Sequence, residues 1–206
     1  MSAAIPTVYI IDDDDGVRDS LAVLLQLEGF ATRAFASGEE FLAACTSEWA
    51  GCVLLDLRMP GMSGLAVQAS MAGRGITLPL VVITAHGDVA AARAMLKAGA
   101  LDFLEKPLDK NQLLAAIRAA LQRDAKQRAH VQAAAQARQW MARLTPRERE
   151  VLDLVVAGQH NREIASHLGI SARTVEVYKA RLMEKLRVER LPDLIRLVLA
   201  ARSTER

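Results

Sequence analysis

Cysteine is almost missing from the 206 residues: Cys45 and Cys52 are the only two. Two thiols make no disulfide framework, and nothing around them has metal-ligand spacing. Aromatic residues are scarce too, at 4%, so no ladder of rings offers itself for stacking single-stranded nucleic acid. No apolar stretch approaches the ~18 residues of a membrane span. The N-terminal apolar run is interrupted by Pro6 and stops at Asp12, too short for a signal-peptide core. Together these absences predict a cytoplasmic protein with no membrane partner.

What is present is enough for genuine cores. Apolar residues make up 51% of the chain, and the length predicts two domains. Net charge is only +2, but it is unevenly spread. Residues 1–122 hold 9 Lys/Arg against 14 Asp/Glu, a balance of −5. Residues 123–143 hold 5 against 1, and residues 144–206 hold 12 against 9. An acidic front and a basic rear point to a nucleic-acid surface in the second half.

Through residue 122, short apolar runs alternate with helical patterns. Strands are predicted at Val8–Ile11, Ala31–Phe35, Cys52–Leu55, Leu80–Ile83 and Leu101–Leu104. Between them, Val17, Leu21, Leu24 and Leu25 share one helical face, and Ser37-Gly-Glu-Glu40 forms a capping-box pattern. Further helices fit Gly64–Ala72, Val89–Ala98 and Lys110 onward. Five such units make a doubly wound α/β domain with a five-stranded parallel sheet. From Leu113 to Ala142 there is no Gly or Pro, and Ala, Gln and Arg dominate. That composition favours one long helical linker, a disordered one being the alternative.

The last 63 residues change character. Thr145-Pro-Arg-Glu148 is a capping box with Pro at the first helical position. Helices also fit Asn161–Leu168, Ala172–Leu186 and Pro192–Ala201, and "LGIS" gives a Gly turn and a Ser171 cap between the first two of these. Helix, tight turn and longer helix predict an all-α helix-turn-helix domain over 144–206, behind a domain at 1–122 and a linker at 123–143.

In a doubly wound sheet, ligands collect at the carboxyl ends of the strands. Asp12 and Asp13 end the first strand in "VYIIDDDDGV", and Asp56 ends the third in "VLLDLRMPGMSG". Thr84 ends the fourth in "VVITAHGD", and Lys106 the fifth in "DFLEKP". Carboxylates gathered this closely raise one another's pKa unless a cation neutralises them. Magnesium suits such a site, taking one or two carboxylates, waters and phosphate oxygens. Asp15 complements the dipole of the helix that follows; Asp14 either does the same or joins the metal site.

Those motifs resemble a response-regulator receiver domain over residues 1–122, close to the FixJ branch in "LRMPGMSG", "VITAHGD" and "DFLEKP". The resemblance implies that Asp56 accepts a phosphoryl group from a sensor histidine kinase. Asp13, Asp56 and the backbone carbonyl of Arg58 would hold Mg2+, with Asp12 ligating through water. Lys106 would pair with the phosphoryl oxygens, Thr84 would hydrogen-bond one of them, and Pro107 would follow a cis peptide. Phe103 would be the switch aromatic that turns inward when Thr84 moves. His86, two beyond Thr84, either influences phosphate lifetime or has no role. Ala85 is small and leaves access to the phosphoryl site.

"LTPREREVLDLVVAGQHNREIASHLGISARTVEVYKARLMEKL" resembles the LuxR-type helix-turn-helix, and the whole chain resembles the NarL/FixJ type of two-component regulator. A helical wheel agrees: Val175, Leu182 and Leu186 lie together toward the core. Val177, Ala180 and Arg181, with Arg173 and Thr174 on the first turn, lie roughly opposite, on a narrow face of small or basic residues. Arg173 and Arg181 can reach guanine edges or phosphates, and Val177 and Ala180 allow close approach to thymine methyls. Lys179 and Lys185 flank the face, where phosphate contact is expected. Asn161 is expected to cap its helix and touch a phosphate. Two residues depart from the family pattern: Tyr178 where it has His, and Arg187 where it has Gly. Without that Gly the recognition helix either ends less sharply or places Arg187 in a left-handed cap.

The reading is a regulator that dimerises on phosphorylation, through the face around Val89–Ala98, Leu101–Leu104 and the next helix. As a dimer it would bind double-stranded promoter DNA and work with RNA polymerase. An aspartate-nucleophile phosphatase is the rival, but Leu57 and Arg58 follow Asp56 where such enzymes carry Asp-x-Asp. A DNA-binding protein with a vestigial pocket is the second rival, and the intact set of five pocket residues argues against it.

Overall fold

The first strand of the computed structural model, β1 (Thr7–Ile11), is apolar on both faces and sits inside a five-stranded parallel sheet of order β2-β1-β3-β4-β5. Residues 6–85 and 89–203 are described. The partners are β2 (Ala31–Phe35), β3 (Gly51–Asp56), β4 (Leu80–Thr84) and β5 (Asp102–Glu105). Parallel strands buried on both sides read as unbroken apolar runs rather than alternating ones.

Each sheet face has its own core. Tyr9, Ile11, Val53, Leu55 and Val82 pack with Phe41 of α2 (Gly38–Ala44), Val67 and Met71 of α3 (Gly64–Gly73) and Met95 of α4 (Val89–Lys97). Val8, Ile10, Leu54, Val81 and Ile83 pack with Leu21 and Leu25 of α1 (Asp15–Leu27) and with Leu113 and Ile117 of α5 (Lys110–Ala142). Cys52 belongs to this second core and Cys45 is half-buried, both as free thiols. Burial pushes them up, to about 12 for Cys52 and about 11 for Cys45.

Helix α5 runs unbroken over 33 residues, as its lack of Gly and Pro predicts. Contacts divide the chain within it, into a unit ending at Gln127 and one beginning at Arg128. In the first unit, the buried Asp124 accepts a hydrogen bond from the Gly51 N–H at 2.9 Å. Gly51 has φ +133°, and a Cβ there would lie 1.8 Å from the Thr7 carbonyl oxygen, so only glycine fits.

The second unit contains α6 (Pro146–Val156), α7 (Asn161–Leu168), α8 (Ala172–Lys185) and α9 (Leu191–Ser203). They close over Val151, Leu152, Val155, Ile164, Val175, Leu182, Leu186, Leu194 and Val198, against which Trp140 and Met141 of α5 also pack. The Thr145 capping box is complete: Glu148 returns to the Thr145 N–H at 2.9 Å. At α2 it is only half formed. Ser37 accepts from the Glu40 N–H, but the Glu40 carboxylate takes the Ala36 N–H, one residue earlier than expected. Gly169, at φ 64°, ends α7, and Ser171 caps α8.

At helix ends one expectation changes and one open alternative is decided. His160, not Asn161, is the N-cap residue of α7, because the Glu163 carboxylate takes the His160 N–H at 2.6 Å and starts the helix there. Arg187 has φ 54° and is the single non-glycine residue at positive φ among the described residues. Of the two outcomes open without glycine, the chain takes the left-handed cap, with the Arg187 guanidinium 5.8 Å from the Trp140 ring centroid.

Candidate functional site

The strand order places the crevice between β1 and β3, where connections leave in opposite directions. Ile11 pairs with Leu55, Asp56 with Ile83 and Thr84 with Glu105. Asp12, Asp56, Thr84 and Lys106 therefore emerge side by side on one edge. Carboxylate oxygens of Asp12, Asp13 and Asp56 lie within 4.8 Å of one another. Asp12 and Asp56 are buried and Asp13 is exposed.

The Lys106 ammonium reaches into this cluster. Lys106 Nζ lies 3.2 Å from Asp12 Oδ2 and makes a shorter contact with Asp56 Oδ2. The peptide between Lys106 and Pro107 is cis. Backbone groups hold the other carboxylate oxygens: the Asp14 N–H donates to Asp12 Oδ1 at 2.9 Å and the Arg58 N–H to Asp56 Oδ1 at 3.0 Å. Burial pushes the Asp12 carboxyl above its ordinary value, and the Asp56 charge adds to the rise; the Asp14 N–H and Lys106 oppose it. Burial works against the Lys106 ammonium, but its hydrogen bonds and attraction to Asp56 and Asp12 prevail and hold its pKa above the usual lysine value. Three oxygens around a space open to water on the Asp13 side fit a hard divalent cation of the magnesium type.

The four aspartates divide their work. Asp14 is the N-cap of α1, accepting from the Val17 N–H at 3.1 Å, and Asp15 pairs with Arg18 in the first turn. Arg18 escaped attention in the sequence, yet its guanidinium also donates to the Asp12 carbonyl at 2.6 Å. Its spacing of three from Asp15 was the available signal. The Thr84 hydroxyl is buried and donates to the Ala85 carbonyl at 3.2 Å. Phe103 is half-buried on the α3–α4 side of the sheet. His86 lies outside the described residues.

In the second unit, Val175, Leu182 and Leu186 are fully buried, while Arg173, Val177, Ala180 and Arg181 are exposed and Thr174 is half-buried. The two lysines have partners within the unit. Lys179 Nζ donates to Asn161 Oδ1 at 3.0 Å, and Lys185 pairs at 2.7 Å with Glu148, which is 4% exposed. The Lys185 hydrogen bond holds the Glu148 carboxyl below its ordinary value, with burial opposing and Thr145 assisting. Arg147 donates to the Leu168 carbonyl and so ties α6 to the turn before α8.

Two families divide the chain in the same way. Residues 8–118 match the response regulator receiver domain, and residues 142–198 match the bacterial regulatory proteins of the luxR family. The transcriptional regulatory protein FixJ of Azorhizobium caulinodans is 45% identical over 194 residues, covering 94% of this chain and 92% of that protein. The chain is a response regulator of the FixJ type. The tetrathionate response regulatory protein TtrR of Salmonella typhimurium is 42% identical over 92% of the regulator. Among solved structures, response regulator StyR matches with a TM-score of 0.80 at 42% identity, covering 95% of the regulator and 98% of StyR. Full-length FixJ from B. japonicum matches with a TM-score of 0.59 at 36% identity, over 97% and 98%. The regulator is thus part of a two-component system that controls transcription, with a receiver for a histidine kinase and a DNA-binding domain. No helix among its described residues is long and apolar enough to cross a membrane.

Proposed function

We propose that Asp56 is the phospho-acceptor of a receiver spanning 1–122, joined by a helical linker at 123–143 to a DNA-binding domain at 144–206. A carboxylate oxygen of Asp56 attacks the phosphorus of the kinase phosphohistidine. A P–O bond forms as the P–N bond breaks, and the electron pair stays on the imidazole nitrogen. Like charges oppose this approach, and Lys106 is positioned to offset them, moving its ammonium from Asp56 to the incoming oxygens. Asp12, Asp13, Asp56 and the Arg58 carbonyl would hold Mg2+, which supplies further charge neutralisation at the phosphoryl oxygens. The Thr84 hydroxyl turns from the Ala85 carbonyl to a phosphoryl oxygen, and Phe103 follows it inward. Water passing the small Ala85 later hydrolyses the acyl phosphate, so the only catalysis is upon the protein itself.

Phosphorylation favours a homodimer through the face made by α4, β5 and α5. Two copies of α8 then enter successive major grooves of an inverted repeat in promoter DNA, in the cytoplasm and beside RNA polymerase. Arg173 and Arg181 reach base edges or phosphates, and Thr174, Val177 and Ala180 allow close approach. Asn161, Lys179 and Lys185 contact phosphates at the flanks, each lysine leaving an internal acceptor to do so.

The observation that carries the proposal is the convergence of Asp12, Asp56 and Lys106 at the carboxyl ends of β1, β3 and β5. Purified protein should take up phosphate from a small acyl phosphate only with magnesium, sediment as a dimer when labelled and bind its promoter more tightly. Asp56→Asn should abolish labelling; full labelling of that variant would overturn the assignment.

A further inference from the structure

The buried residues of α8, Val175, Leu182 and Leu186, fix the direction of its inward face. At about 100° per residue, the residue opposite that direction is Glu184. Arg173 and Val177 fall about 20° to either side of it, Ala180 about 40° and Arg181 about 60° away. Small and basic residues dominate this face, yet its central residue is an acid. Glu184 is exposed and makes no ion pair or side-chain hydrogen bond among the described residues.

A carboxylate there has two costs. It lies in the last turn of α8, where the carbonyl end of the helix disfavours negative charge. It also approaches a polyanion when α8 docks. Nearby cations do not relieve it, because Lys185 is paired with Glu148 and Arg187 lies over Trp140. Arg181, three residues back, is exposed and makes no pair with it among the described residues.

A carboxylate can only accept hydrogen bonds, so a groove contact must offer it a donor. The major-groove donors are the amino groups of cytosine and adenine. Adenine N6 stands between two acceptors, its own N7 and thymine O4, whose lone pairs repel a carboxylate; cytosine N4 has an acceptor on one side only, guanine O6. We infer that Glu184 is a specificity-determining residue that accepts a hydrogen bond from cytosine N4, placing one C·G pair at a fixed position in each half-site. The inference rests on the DNA-reading role of α8 proposed above.

Phosphorylated full-length protein, Glu184→Gln and Glu184→Ala should each be used to select duplexes from a randomised library. Wild type should enrich one C·G pair per half-site that Glu184→Ala ceases to select, with the other positions kept. Replacing that pair should weaken wild-type binding roughly fivefold or more. Glu184→Gln should move the preference to A·T, because an amide pairs with adenine N6 and N7 together. If all three proteins enrich one sequence and Glu184→Ala binds every duplex more tightly, the carboxylate only repels phosphate and the inference is overturned. A wild-type protein that enriches no sequence overturns the role of α8 itself, and the inference with it.

Discussion

Asp12 carries its charge where water scarcely reaches it: 1% of the residue is exposed, and the Asp56 carboxylate is adjacent. Lys106 compensates, but one ammonium serves two carboxylates. Without metal, an ionised Asp12 therefore works against folding. Asparagine keeps an acceptor for the Asp14 N–H and removes the repulsion. Asp12→Asn should stabilise the metal-free protein by about 1 kcal/mol. It should also shrink the rise in melting temperature on adding magnesium, since ligand stabilisation follows affinity for the folded state. Thermal melts with and without magnesium test both; a metal-free variant less stable than wild type would refute the repulsion. Much at this scale was legible beforehand. Asp12, Asp56, Thr84 and Lys106 each follow an apolar run, so their places at strand ends could be read. Arg18 and Glu184 were less legible, because each stands among neighbours of the opposite charge.

Helix ends show where local chemistry decides and where distant residues do. The left-handed Arg187 is strained by about 1–2 kcal/mol, while its guanidinium over Trp140 returns about 0.5–1 kcal/mol. Arg187→Gly should therefore change stability little or raise it slightly. Arg187→Ala keeps the strain and loses the ring contact, so it should be less stable by about 0.5–1 kcal/mol. Urea denaturation of the pair checks the ranking. At α6, Glu148 completes a cap and accepts Lys185 from 37 residues away. The folded carboxyl is held below its ordinary 4.5, so its contribution is complete above that pH and fades as pH falls through the lower folded value. Glu148→Gln should lose about 1–3 kcal/mol at pH 7 and flatten the acid limb. Fluorescence of Trp140 in a Trp49→Phe background would follow it. The capping box was legible in four consecutive residues; the Lys185 bond, like that of Lys179 to Asn161, depends on tertiary placement that spacing does not encode.

Taken whole, the chain is two packed units that share one helix. The core of the second unit includes Trp140 and Met141, which precede Leu144. A fragment of residues 144–206 lacks both side chains, whereas one of residues 128–206 keeps them. The longer fragment should be more stable by at least about 2 kcal/mol, the scale of burying a large apolar side chain, and denaturation of the two would show it. Equal stabilities would mean that those contacts add nothing. Fold class was open to inference because strand and helix periods alternate regularly to Lys110. The extent of packing along α5 was not, because an Ala-rich helix looks alike whether it is solvated or partly covered.

The burial of both cysteines has a practical side. Burial raises Cys45 from an ordinary 9.0 to about 11, which leaves roughly 100-fold less thiolate at neutral pH. A more basic thiolate is the better nucleophile, which leaves at least about a tenfold handicap in alkylation rate. Cys52, fully enclosed, reacts more slowly still. The natural chain is thus close to a cysteine-free background. One new surface cysteine, on the exposed face of α8 for example, would take a spectroscopic label with both native thiols left in place.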